Sequence, residues 1–258
     1  MPLLEIKNVT KDFGGLKALH EVSMQVNAGE IVSLIGPNGA GKTTLFNCIT
    51  GTMPPSSGHV TFEDKPLDNL PPYEVAAKGV TRTFQHIRLF NQMTVLDNVM
   101  VGNDHRGRTG IFSALIRPPW VAREERKTRQ KSLDILSLFG ERLLPRLNQQ
   151  ACMLSYANRR RLEIARALVS GPKLLLLDEP TAGMNPHETQ GIVDLIRLIR
   201  DRGHSILVIE HKMKVVMTVS DRIVVLDHGK KIAEGLPDEI AHNQEVIDAY
   251  MGGRRVGN

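Results

Sequence analysis

The chemistry of this sequence is concentrated in Gly36-Pro37-Asn38-Gly39-Ala40-Gly41-Lys42-Thr43-Thr44. Glycines here let consecutive backbone N–H groups converge on an anion, and a helix starting behind them adds the positive end of its dipole. Gly36, Asn38, Gly39, Ala40, Gly41 and Thr44 would line such a cradle. Lys42 would reach the β- and γ-phosphates, and the Thr43 hydroxyl would hold Mg²⁺. A second set of groups ends the run Leu174-Leu175-Leu176-Leu177-Asp178-Glu179. An apolar strand closing on Asp178 sets that carboxylate beside the metal, and Glu179 can polarise an attacking water. Each motif alone has a plainer explanation, a glycine-rich turn or an acidic strand end. Together they predict a chain that binds a nucleoside triphosphate.

The flanking segments supply what such a site needs. Glu30 to Ile35 is a short apolar run rich in β-branched residues, a buried strand leading into the glycines. Leu45 to Thr50 reads as a short helix closed by Gly51. Upstream, residues 3–9 and 19–26 alternate as antiparallel strands do, with Phe13-Gly14-Gly15 in the turn between them; His59 to Phe62 is a further strand. From about Asn91 the pattern changes. Val95 to Val101 and Ala122 to Leu138 have helical spacing, and an irregular stretch runs through Arg106-Gly107-Arg108-Thr109-Gly110 to Pro118-Pro119-Trp120. Strand and helix then alternate again: Arg161–Leu168 helical, Lys173–Leu177 strand, Glu188–Arg202 helical with Gly203 behind it, Ser205–Ile209 strand. A hairpin follows, Arg222–Leu226 and Lys231–Ala233. This order predicts an α/β fold with a largely parallel central sheet.

Composition sets the outer bounds. The 258 residues are 41% hydrophobic and 24% charged, enough for a sizeable core. The apolar runs are too short to span a membrane, and the start Met1-Pro2-Leu3-Leu4-Glu5-Ile6 has no signal-peptide pattern. Cys48 and Cys152 lack metal-ligand spacing and read as packing thiols in a reducing cytosol. The net charge is +5, with basic residues bunched at Arg123–Lys131 and Arg159–Arg161. No nucleic-acid-reading module accompanies them, so they read as solvated helix faces with some affinity for anions or a lipid surface.

The segment from Leu154-Ser155-Tyr156-Ala157-Asn158 to Ala167-Leu168 resembles the signature loop and helix of ATP-binding cassette (ABC) ATPases. In family order around it stand Thr83-Phe84-Gln85, Asp178-Glu179, Ala182-Gly183-Met184-Asn185 and the strand ending at His211. The resemblance covers essentially the whole chain. It implies a P-loop core with an antiparallel β subdomain and a helical subdomain, the core being 1–90 and 166–258 and the helical part about 91–165. It also implies roles. Phe13 would stack on adenine, where the residue by itself is equally a packing group. Gln85 would touch Mg²⁺ or water, and His211 the γ-phosphate. Ser155 would face the ATP of a second subunit.

Several stretches resemble the ATPases of branched-chain amino acid importers: 79–90, 93–99, the insert 103–125, Ala182–Pro186, Ile209–Met213 and Ala249-Tyr250-Met251-Gly252. What this implies is a peripheral ATPase on the cytoplasmic face of the inner membrane. Its partners would be two permease subunits and a second, different ABC ATPase, with an extracytoplasmic amino-acid-binding protein acting indirectly and no nucleic acid. An exporter ATPase of the lipopolysaccharide type and a non-transport ABC protein are the alternatives. The segment Phe84–Val99, with Phe90 and Met93, is read as the permease-docking surface, the plainer reading being that both side chains pack under the helical subdomain. The signature departs from the family's Leu-Ser-Gly-Gly-Gln at Tyr156, Ala157 and Asn158. A methyl group at 157 would hold off the opposite γ-phosphate, which predicts an asymmetric pair with one slow site; a backbone that tolerates alanine predicts two working sites.

Overall fold

Three near-continuous apolar runs become adjacent parallel strands: β3 (Ile31–Ile35), β7 (Leu174–Asp178) and β8 (Ser205–Ile209), every residue of them buried. Strands covered on both faces lack the polar–apolar alternation of half-exposed ones, which is why these read as near-continuous Ile, Leu and Val, broken only by Ser33, Asp178 and Ser205. The structure is a computed structural model and describes residues 1–103 and 119–252. The chain divides into two compact units, Met1–Arg82 with Lys173–Asn258, and Thr83–Pro172.

The first unit holds two sheets. The central sheet has the order β10-β9-β3-β8-β7-β6, where β6 is Val80–Arg82, β9 Arg222–Asp227 and β10 Lys230–Gly235. All its pairings are parallel except the β9–β10 hairpin. The antiparallel sheet is β2-β1-β4-β5, with β1 at Leu4–Phe13, β2 at Leu16–Val26, β4 at Ser57–Phe62 and β5 at Lys65–Pro66. Phe13 ends β1 and pairs with Leu16 instead of sitting in the turn. Gly14 and Gly15, at φ 53° and 101°, complete that turn by themselves. One apolar cluster joins the two sheets, including Leu4, Ile6, Phe46, Phe62, Leu174 and Leu207.

In this unit α1 is Lys42–Ile49 and α2 is Pro72–Ala77; α3, Val95–Val101, belongs to the other unit. The second unit also contains α4 (Pro119–Ser137) and α5 (Tyr156–Leu168). The α4 helix begins earlier than its apolar spacing suggests, since proline is tolerated in the first turn of a helix. The α5 helix likewise starts at Tyr156 and not at Arg161. Ser155 is its N-cap and accepts from the Asn158 N–H at 3.4 Å. Residues 104–118, most of the expected insert and its Arg106–Gly110 stretch, lie outside the described residues.

The remaining helices are α6 (Pro186–Asp201), α7 (Met213–Val219), α8 (Pro237–Ala241) and α9 (Gln244–Gly252), all in the first unit. A capping box opens α6: Asn185 Oδ1 accepts from the Glu188 N–H at 2.9 Å, and Glu188 Oε2 accepts from the Asn185 N–H at 3.2 Å. Its Ile192, Val193, Leu195, Ile196 and Ile199 are buried. Among the described residues no helix is long and apolar enough to cross a membrane.

Candidate functional site

Strand register brings the first unit's site residues together. Leu34 pairs with Ile209, and Ile209 with Asp178, so β3, β8 and β7 end level at their carboxyl edge. Gly36 and Glu179 follow β3 and β7 directly, and His211 comes one residue after Glu210 at the end of β8. Ligands in open parallel sheets bind at this edge, because the loops there face the N-termini of the following helices.

The glycine loop needs its glycines for steric reasons. Gly36 has φ 146°, and a Cβ there would lie 2.0 Å from the Leu226 carbonyl oxygen. Gly41, at φ 99°, would meet the Ala18 carbonyl at 2.6 Å and the Leu19 side chain at 2.8 Å. Asn38, Gly39 and Thr43 are exposed, Thr44 is half-buried and Ala40 is buried, so the loop turns backbone and the Thr43 residue to solvent. No side chain caps the start of α1, so its first-turn N–H groups carry no side-chain cap bond. Lys42 is 6% exposed, and its Nζ donates to the carbonyls of Gly36 at 2.7 Å and Pro37 at 2.9 Å. Burial lowers its pKa below that of an ordinary lysine, while Glu179 and Asp178 pull it back up. A buried cation held by carbonyls and facing two carboxylates suits an anionic ligand of high charge.

Asp178 is buried, and Arg82 binds it: Nη2 to Oδ2 is 2.7 Å, while Nη1 of the same guanidinium donates to Asn47 Oδ1 on α1 at 2.7 Å. Arg82 therefore ties Asp178, at the end of β7, to α1 behind the glycine loop. It also lies over the Phe46 ring, 5.3 Å from its centroid. Glu179 has φ 47°, unusual for a residue with a side chain. Its N–H still donates to the Ile209 carbonyl at 2.9 Å, so the backbone turns out of the ladder without losing that bond. The turn sets Glu179 Oε1 2.9 Å from His211 Nε2.

Glu210, whose role no sequence period reveals, organises the neighbouring loop. It is buried and its Oε1 accepts from Thr181 N at 2.9 Å and Thr181 Oγ1 at 2.5 Å, while Oε2 accepts from His211 N at 3.1 Å. Lys212 Nζ completes the arrangement by donating to the Thr181 and Met184 carbonyls at 2.9 and 3.0 Å. Phe13 is 46% exposed at the end of β1, with Lys11 Nζ 5.5 Å from its ring centroid.

Gln85 and Ser155 belong to the second unit. Gln85 is exposed. Its backbone is held by Arg160 of α5, wholly buried, which donates to the Phe84 carbonyl at 2.6 Å, the Gln85 carbonyl at 2.7 Å and Glu163 Oε2 at 2.8 Å. Burial pushes the Glu163 carboxyl up in pKa, and Arg160 pulls it down. Arg160 and Arg161 are thus interior residues and not a solvated basic face. Asn98, also fully buried, accepts from Phe90 N at 2.9 Å and donates to the carbonyls of Phe90 at 3.0 Å and Thr94 at 2.9 Å. It shapes the loop that leaves Phe90 50% and Met93 38% exposed. At the signature, Tyr156 points outward but Ala157 is only 3% exposed.

A phosphate-binding loop on β3, the acidic end of β7 and a signature helix behind Ser155 define the class of an ATPase cassette. The family model "ABC transporter" matches residues 19–182, and "Branched-chain amino acid ATP-binding cassette transporter" matches residues 230–256. The high-affinity branched-chain amino acid transport ATP-binding protein LivG of Escherichia coli is 46% identical over 252 residues, covering 97% of this chain and 98% of the relative. Its counterpart BraF of Pseudomonas aeruginosa is 42% identical over the same shares. A solved ATP-binding cassette of an ABC transporter in its ADP conformation superposes with a TM-score of 0.85 at 34% identity, covering 98% of this chain and 99% of that one. The chain belongs to the ATP-binding subunits of ABC transporters, in their branched-chain amino acid group.

Proposed function

We propose that this chain is the ATP-hydrolysing subunit that powers an importer of branched-chain amino acids. It works at the cytoplasmic face of the inner membrane, against two permease subunits and beside a second, different ABC ATPase; an extracytoplasmic binding protein supplies the cargo without touching it. The observation that carries the reading is the Glu179–His211 contact at the same sheet edge as the Lys42 loop, in a chain similar over nearly its whole length to LivG and BraF. Those relatives favour neither an exporter nor a non-transport role.

The roles follow the positions. Phe13 offers a flat exposed ring for adenine. Gly36 to Gly41 and the start of α1 bind the phosphates with Lys42 and Thr44, and Glu179 orients and deprotonates the water while His211 steadies that carboxylate and meets the γ-phosphate. Among the described residues no three His, Cys, Asp or Glu side chains cluster as a metal site. One carboxylate, Asp178, and one hydroxyl, Thr43, fit Mg²⁺, which is bound through few protein oxygens plus substrate phosphates; the family resemblance adds Gln85 as a further ligand. When bound, Mg²⁺ would neutralise charge developing on the phosphate oxygens. Ser155 and the start of α5 serve the ATP held by the partner ATPase, and the loop bearing Phe90 and Met93 docks on the permease.

The test is reconstitution with the permeases, the second ATPase and the binding protein in vesicles. ATP-dependent uptake of labelled leucine, isoleucine or valine is expected, abolished by Glu179→Gln in this chain. Uptake that persists without this chain overturns the proposal.

A further inference from the structure

The C-terminal helix α9 reaches the phosphate loop through two side chains on one face. Val246 is buried in a small cluster with Ile35, Val216, Ile223, Val225 and Ile240. Ile35 is the last residue of β3, immediately before Gly36, so this packing fixes the helix to the strand that carries the loop. Tyr250 stands four residues after Val246 and therefore on the same helix face, one turn further on. Its hydroxyl oxygen accepts a hydrogen bond from the Gly36 N–H at 2.8 Å.

Gly36 has no side chain to hold it, and the Leu226 carbonyl leaves no room for one. Its placement rests on what its N–H and C=O bond. The N–H meets Tyr250, and the C=O receives Lys42 Nζ at 2.7 Å. One residue thus lies between the tyrosine hydroxyl and the lysine that the phosphate loop turns toward its ligand. Tyr250 is 37% exposed, so core packing does not itself demand an aromatic ring there. Burial of the phenol raises its pKa above the ordinary tyrosine value, which keeps it the neutral form.

We propose that Tyr250 is a positioning residue for the phosphate loop: its hydroxyl fixes the Gly36 peptide and, through the Gly36 carbonyl, the resting place of Lys42. The C-terminal helix is then a brace for nucleotide binding and not a mere appendage of the fold. This rests on Gly36–Thr44 being the ATP site.

The test is Tyr250→Phe in the full chain, which keeps the ring and removes the acceptor. Loss of one neutral hydrogen bond to a peptide N–H is expected to raise the Kd for ATP about fivefold. Exchange of the Gly36 amide, followed by NMR, is expected to quicken while the melting temperature stays near the parent's. Tyr250→Ala should show the same weakening of ATP binding together with lost stability. A Tyr250→Phe chain with the parent's Kd and the parent's Gly36 exchange overturns the proposal. Failure of the parent itself to bind ATP would instead remove the underlying assignment of the loop, so the two failures are told apart.

Discussion

The wholly buried guanidinium of Arg160 donates to the carbonyl oxygen of Gln85 at 2.7 Å, so the signature helix of this chain holds the backbone of its glutamine loop. The same guanidinium pairs with Glu163, 3% exposed at its side chain. Removing one member of a buried pair strands the other, which costs about 3–5 kcal/mol. Arg160→Ala is therefore expected to lower stability by about that amount, read as a fall in the denaturation midpoint. Glu163, already raised in pKa by burial, would rise further without Arg160. A carboxyl with a raised folded-state pKa destabilises the fold when ionised, above that pKa, and the penalty is relieved as pH falls through it. The deficit of Arg160→Ala should accordingly shrink toward acidic pH. Arg160→Met with Glu163→Leu should recover part of the loss, the Phe84 and Gln85 carbonyls still lacking their donor.

Glu179 and His211 are expected to separate binding from turnover. Glu179→Gln keeps the side chain's shape and its place at the end of β7, but it cannot take a proton from water. ATP affinity should be retained while hydrolysis falls by on the order of a hundredfold or more. His211→Ala leaves Glu179 without the partner 2.9 Å away and should lower turnover less severely. Single-turnover measurements with the assembled transporter check both; hydrolysis at the parent rate in Glu179→Gln would end the general-base assignment.

Ala157 supplies a prediction opposite to the one its sequence position suggests. Ala157 is only 3% exposed, so Ala157→Gly uncovers little new surface. It should cost about 1 kcal/mol through helix propensity and leave ATP turnover of the complex no faster. Faster turnover would show that the methyl group does obstruct the opposite site.

The two thiols should differ sharply in reactivity. Cys48 lies 3% exposed on α1, where burial pushes its pKa up to about 11 against a smaller opposing pull from Lys11. Cys152 is exposed. The thiolate is the species that is alkylated. At mildly alkaline pH iodoacetamide should therefore modify Cys152 and spare Cys48 until the chain is unfolded, as peptide mass spectrometry would show.

The sequence by itself determined the elements whose cause is local. The glycine loop, the apolar strands around it and the acidic end of β7 are each written in consecutive residues, because steric freedom, β-branching and burial act over a few positions. The order of motifs likewise sufficed to recognise the family. The partnerships of buried polar groups came only from the tertiary structure. Arg160 stands in a run of three arginines that reads as a charged surface, yet it is the centre of the glutamine-loop contacts. Arg82 reaches Asp178 across 96 residues, and Tyr250 reaches Gly36 across 214. Glu210 and Asn98 look like ordinary solvated residues until their loops close over them. A polar side chain has no sequence period that reveals its partner; strand register and helix packing decide which donor meets which acceptor.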